Sequence, residues 1–329
     1  MPTVRLVKDW KEPDIIKQQT PNMDGIWDNV YFTFEEIREC DYLIVFNRAK
    51  HQLKIMCTPG NKWLISGEPP NPAFRWQKKS YKYFDRIFAQ HKQKFHKQVL
   101  SHGALPWQIK MNYLDLINLQ SNSTMKKNKV SFVTSNSDWM SGHQIRLKFL
   151  KYLQNSKYDF DLFGKGINPI DNKFDALYPY KYSIAIENSF YPHYWTDKIA
   201  DCFLSWTMPF YFGAPNINKY FPKDSFVLIN PKEPKKALDK IKRSVDEGIW
   251  EKNIGAIKEA RELILNKYQF FPFIVNEINK RDAKTDRLIK KSYFIPQNIA
   301  PWEEGGKNLI SLGRKIEWRI RKSMNLKPY

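Results

Sequence analysis

Short apolar runs of strand length, each closed by glycine, proline or a polar cluster, recur along this chain with helix-length spacers between many of them. That rhythm constrains the fold more than any other feature of the sequence. The clearest runs are Tyr42–Phe46, Lys62–Ser66, Val130–Val133, Asp159–Phe163, Tyr182–Ile186 and Met208–Phe212. Their β-branched and aromatic content fits buried strands of an α/β sheet. None approaches the roughly 18 apolar residues of a membrane-crossing helix. Val4–Val7, His51–Cys57 and Phe226–Ile229 are further strand candidates, and Phe34–Glu39, Gln144–Leu153 and Thr196–Ser205 are helix candidates. Pro209 is the second residue of its run, which predicts an edge strand or a late start.

The polar stretch Gln120–Asn128 lacks apolar periodicity and reads as a linker. A chain of 329 residues has room for about two domains. The expected architecture is therefore two doubly wound, Rossmann-like α/β domains facing a cleft, over residues 1–120 and 121–285. Residues 286–329 form a crossover segment and tail. Lys307–Tyr329 holds seven basic residues and one acid, with Leu312, Ile316, Ile320 and Met324 every four residues. This is a basic amphipathic helix, fit for an anionic membrane surface or for docking on the protein. The stretch Lys78–Lys97 mixes aromatics with lysines and reads either as a helix with an apolar face or as a platform on which sugars stack.

The net charge of +20 calls for an anionic partner: phosphate, nucleic acid or an acidic membrane face. No zinc-finger or RNP-type motif is present, so nucleic acid is not expected. Met1–Asp9 has no apolar core, so no signal peptide is expected. Cys40, Cys57 and Cys202 lack metal-ligand spacing and suit a reducing compartment. The expected location is cytoplasmic, at the inner face of a membrane.

Chemistry concentrates around residue 190. Tyr182–Ile186 ends in the polar trio Glu187-Asn188-Ser189, at the edge where open α/β sheets bind ligands. Thr196 is a plausible N-cap of the following helix, whose free N–H groups favour phosphate. Lys198 places a cation in the first turn, against the helix dipole. Ordinary capping with a solvated lysine is the competing interpretation. His143 is expected in a loop or facing solvent, and Asp159-Phe-Asp161 is expected to be structural rather than a metal-binding Asp-x-Asp.

Three stretches together resemble the signature of the α-1,3/4-fucosyltransferases, glycosyltransferase family 10. They are Tyr182-Ser-Ile-Ala-Ile-Glu-Asn-Ser189, Tyr194-Trp-Thr-Asp-Lys198, and Met208-Pro-Phe-Tyr-Phe-Gly-Ala-Pro215 with Phe221-Pro-Lys-Asp-Ser-Phe226. Ser131-Phe-Val-Thr-Ser-Asn136 with Arg146, and Gly67-Glu68-Pro-Pro-Asn71, are similar to two upstream segments of that family. The resemblance implies the GT-B fold and an inverting transfer of L-fucose from GDP-fucose to a glycan hydroxyl, of a GlcNAc- or Glc-type residue in α-1,3 linkage. It implies Glu68 as general base. Ser135, Asn136, Arg146, Glu187, Asn188, Tyr194, Asp197 and Lys198 would hold the donor. No cofactor is required, and a divalent metal would at most stimulate. Where the family usually has Glu, this chain has Asp197, which leaves open a different nucleotide-sugar donor. A non-catalytic basic protein that binds membrane or nucleic acid is the rival from another class.

Overall fold

The computed structural model describes residues 1–92, 97–122, 124–281, 289–300 and 303. The expected tail helix, Lys307–Tyr329, lies outside the described residues. The chain forms two compact units, one of Met1–Ile16, Gly25–Gly103 and the chain from Val275, the other of Lys17–Asp24 and Ala104–Ile274. Each is built on a mainly parallel sheet, and the fold class is α/β, as expected.

Strands of the first unit are β1 (Thr3–Val7), β2 (Ile26–Trp27), β3 (Val30–Thr33), β4 (Glu39–Cys40), β5 (Tyr42–Phe46), β6 (Leu53–Cys57), β7 (Lys62–Ile65), β8 (Arg86–Ala89) and β9 (Gln98–Leu100). Those of the second are β10 (Lys127–Val133), β11 (Phe160–Phe163), β12 (Tyr180–Ile186), β13 (Met208–Phe212) and β14 (Val227–Leu228), and β15 (Lys291–Ile295) returns to the first.

The main sheet of the first unit runs β2-β3-β1-β5-β7-β8-β9 and is parallel except for the β2–β3 pair. Leu43, Val45 and Leu64 pack on one face with Phe84 and Ile87. Tyr42, Trp63 and Phe88 stack edge-on or tilted on the other face. A small sheet, β15-β6-β4, completes this unit. In the second unit the order is β11-β10-β12-β13-β14, all parallel. Tyr182, Ile184 and Ile186 face one core, which includes Phe149 and Leu153 of the helix Ser141–Asn155. Ala185 and Tyr211 face the other, which includes Ile199 and Phe203 of the helix Asp197–Leu204. Both faces are thus covered, which is why these strands read as continuous apolar runs.

Several expectations are corrected. Phe34–Glu39 is not a helix: the Ile37 carbonyl accepts from Arg5 and the Arg38 carbonyl from the Met56 amide, so this backbone serves the small sheet. Lys78–Lys97 is not one amphipathic helix. A 3₁₀ segment, Pro72–Tyr83, leads into β8, whose Ile87 and Phe88 are buried in the sheet. The polar stretch Gln120–Asn128 is no linker between the units. Lys126 is buried with its ammonium on the carbonyls of Tyr178, Tyr180 and Ser205. Trp107, Ile109 and Leu116 join the second core, so the chain leaves the first unit at Gly103, ahead of the expected 120. Pro209 lies on an interior strand. It is tolerated because β14 pairs with β13 only from Phe210 onward. Asp159 and Asp161 are structural, but at an edge strand: both carboxylates lie 2.8 Å from Lys129 Nζ. Among the described residues no helix is long and apolar enough to cross a membrane.

Candidate functional site

The second sheet reverses its strand order at β10. The chain moves from β10 outward to β11, then returns to the other side of β10 as β12. A crevice outside the carboxyl ends of strands at such a reversal is the ligand position of open α/β sheets. Ser135 follows β10 and Glu187-Asn188 follows β12, so both fall there. The helix Ser141–Asn155 approaches closely: a Cβ on Gly142 would lie 1.9 Å from the Asn188 carbonyl oxygen, so glycine is needed at that position.

Arg146 ties these ends together. Its guanidinium donates to Asn188 Oδ1 at 3.1 Å, to the Ser135 carbonyl at 3.1 Å and to the Ser137 carbonyl at 3.3 Å. Its Nε is buried without a hydrogen-bond partner. Asn136 is exposed beside this cluster in sequence, its amide donating to the Lys165 carbonyl at 3.3 Å. Contrary to the sequence expectation, His143 is buried in the first turn of the helix. Burial, then Arg146 and Lys198, push its pKa down to about 4, so the imidazole is neutral at physiological pH.

Glu187 is buried. Its Oε1 accepts from the Thr196 amide at 2.8 Å, its Oε2 accepts from the Thr196 hydroxyl at 2.9 Å, and Lys198 Nζ lies 3.4 Å away. Burial pushes the Glu187 carboxyl up and Lys198 opposes it. Thr196 in turn caps the helix Asp197–Leu204, its hydroxyl accepting from the Lys198 amide. Glu187, singled out from the sequence as a ligand contact, therefore holds the helix start instead. Gly213 packs against it, where a Cβ would lie 2.5 Å from Glu187 Cγ. Lys198 Nζ also donates to Thr196 Oγ1 at 3.3 Å, which among the described residues leaves one of its three donors uncommitted. Tyr194 is buried two residues before the cap.

Asp197 is held by Lys173, at 2.8 Å, and Lys173 also binds the fully buried Asp201 at 2.7 Å. Burial pushes Asp197 up, but Lys173 and Lys198 outweigh it and hold the carboxyl at about 2. Asp201 accepts from the Gln108 amide at 3.0 Å. No sequence signal marks Lys173 or Gln108 as partners of these carboxylates, because they meet only through the fold.

Glu68 belongs to the first unit and occupies the corresponding edge of that sheet. It follows β7, while Asp9 follows β1 and Asn47 follows β5. Asn47 Oδ1 accepts from the Gly67 amide at 2.8 Å and its Nδ2 donates to Asp9 at 3.1 Å, which fixes the turn. Among the described residues Glu68 has no ion pair. Burial, with the Asp9 carboxylate adding, pushes its pKa up to about 7. Among the described residues no group of three His, Cys, Asp or Glu side chains is placed to hold a metal.

Comparison with known proteins agrees with the resemblance in the sequence. Residues 123–247 match the C-terminal region of glycosyltransferase family 10 (fucosyltransferase). GDP-fucose protein O-fucosyltransferase 3 of Danio rerio is 27% identical over 157 residues, 40% of this chain and 34% of that protein. The alpha-(1,3)-fucosyltransferase of Helicobacter pylori is 38% identical over 74 residues, 22% of this chain and 16% of that protein. The matches thus span about a third or less of these relatives' lengths. A solved α1,3-fucosyltransferase with GDP-fucose aligns with a TM-score of 0.45 at 19% identity, over 82% of this chain and 92% of that one. The stretch that matches, residues 123–247, carries the Arg146, Asn188 and Lys198 constellation, and it is there that this chain is similar to glycosyltransferase family 10.

Proposed function

We propose that this chain transfers L-fucose from GDP-fucose to a hydroxyl of a glycan acceptor, of a GlcNAc- or Glc-type residue in α-1,3 linkage. The observation that carries the proposal is the convergence of Arg146, Asn188, the Thr196-capped helix and Lys198 at the strand-order reversal of the second sheet. GDP gains negative charge as the glycosidic bond breaks. Arg146, the uncommitted donor of Lys198 and the helix N–H groups offer preorganised positive potential for it. Ser135, Asn136 and Tyr194 complete the donor-binding set, while Glu187 and Asp197 hold Thr196, Lys198 and Lys173 in position.

Glu68 removes the proton from the acceptor hydroxyl as that oxygen attacks the anomeric carbon. A single displacement inverts the anomeric configuration, with an oxocarbenium-like transition state as in inverting glycosidases. A base with a pKa near 7 is well matched to this task at neutral pH. The charge of the leaving diphosphate is met by side chains and a helix terminus, so transfer should proceed in excess EDTA. Complete loss on chelation, restored by one metal, would contradict this account.

A thermal-shift panel of GDP, GDP-fucose, UDP and UDP-sugars tests the donor. A ligand at 100 times its dissociation constant adds about 2.7 kcal/mol. Stabilisation by GDP and GDP-fucose alone is expected; stabilisation by UDP-sugars instead would change the donor.

A further inference from the structure

A cavity of about 130 Å³ opens beside Glu68 in the first unit, and we propose that it is an acceptor subsite for an anionic glycan, one that carries a carboxylate or phosphate close to the accepting sugar. The proposal rests on the assignment of Glu68 as the base that receives the acceptor.

Arg75 and Lys78 line this cavity, and Glu68 is its sole acidic lining residue. Among the described residues neither cation forms an ion pair with a carboxylate, whereas Lys62, Arg86 and Arg48 of the same unit all do. Lys78 is pushed down by burial and by Arg75 beside it. His91 lies in the same wall, with Nδ1 buried and without a hydrogen-bond partner. Burial, then Lys78, lower its pKa to about 4, so it is a neutral group with a polar atom to offer. Arg75 and Lys78 are exposed at the cavity, so their charges are open to a ligand from solvent, and together with the orphaned imidazole nitrogen they are complementary to an anion. Phe74 and Tyr81 supply apolar wall. A water molecule's share of liquid is about 30 Å³, so the cavity suits one carboxylate or phosphate substituent with some water, not a whole disaccharide.

The test uses lactose, 3′-sialyllactose and lactose 6′-phosphate as probes, titrated calorimetrically into the full chain and into the Arg75→Gln, Lys78→Gln double variant. The wild type should bind at least one charged sugar about tenfold more tightly than lactose, the size of two partly screened charge contacts. The double variant should lose that advantage while keeping its GDP affinity, which also reports that it is folded. Equal binding of all three sugars by the wild type, binding of none, or an advantage that persists in the variant would each overturn the proposal. Which charged sugar gains tells carboxylate from phosphate. GDP-fucose turnover is followed separately: a protein that binds the charged sugar selectively but leaves GDP-fucose intact has the subsite and lacks the transfer.

Discussion

In the second unit three acidic side chains close to the strand-order reversal are engaged: Glu187 by Thr196 and Lys198, Asp197 and Asp201 by Lys173. In the first unit Glu68, at the corresponding sheet edge, is half-buried beside another carboxylate and, among the described residues, forms no ion pair. The carboxyl groups are chemically alike, and their surroundings separate their uses. Where counter-charges and donors are supplied, a carboxylate becomes part of a rigid scaffold that presents Lys198 and a helix end to an anion. Where no direct ion pair offsets burial and a neighbouring carboxylate, the carboxyl keeps its affinity for a proton near neutrality and can exchange one with substrate.

The sharpest way to break this contrast is Glu68→Gln. The amide preserves size but cannot accept the acceptor's proton, so transfer should fall by about 10²–10⁴ while GDP affinity is unchanged. Initial rates and GDP titrations on the same preparation check both halves; a wild-type rate removes Glu68 from the chemistry. Next in size, Lys198→Ala should weaken GDP by about 1.5–3 kcal/mol, the range for a charged hydrogen bond. Unchanged GDP affinity in that variant would mean that Lys198 serves Glu187 alone.

The sequence made one side of this contrast readable and hid the other. The strand ends at Ser135 and Glu187-Asn188 and the cap at Thr196 were legible, because apolar runs and capping chemistry are local signals. Partners drawn from afar left no local trace. Lys173 reaches Asp197 across 24 residues and Asp201 across 28, and Gln108 reaches Asp201 across 93. The packing of Glu187 is hidden for the same reason: a carboxylate after a strand looks like a ligand contact, and only the fold brings Thr196 back onto it. Around residue 80 the aromatic content suggests a helical face, yet Ile87 and Phe88 belong to a strand that only long-range pairing creates. Glu68 could be placed at a strand end, but its desolvation depends on the turn built by Asn47 and Asp9.

That desolvation predicts an opposition between stability and activity. The folded state raises the Glu68 pKa from 4.5 to about 7, so it binds the proton more tightly than the unfolded chain does. The contribution to stability is therefore fullest below pH 4.5 and is lost as pH rises through about 7. Glu68→Gln removes the buried charge. The variant should match the wild type near pH 4.5 and exceed it at pH 8, by up to about 3 kcal/mol before solvent screening reduces the gain. Denaturant unfolding at the two pH values measures this; a variant no more stable at pH 8 would show that Glu68 is well solvated.

The smallest change in ligand affinity should come from Asp197→Asn, and it tests the scaffold half of the contrast. This is the position where the family resemblance leads one to expect a longer glutamate. Its carboxylate is tied to Lys173, and Lys173 is shared with Asp201. The amide would keep a polar group at the first position of the helix, and Asp201 would keep Lys173 in place. Arg146, Lys198 and the Thr196 cap would remain for the diphosphate. GDP affinity should then change by less than about threefold, under 0.7 kcal/mol, while the melting temperature falls through loss of one partly buried ion pair. The stability loss should itself fade in acid, because the Asp197 carboxyl, held at about 2 against an ordinary 3.8, gives up its contribution as pH drops through that interval. A large loss of GDP affinity with unchanged melting would reverse the assignment: Asp197 would then touch the donor directly, and its shorter side chain would bear on which sugar the enzyme accepts.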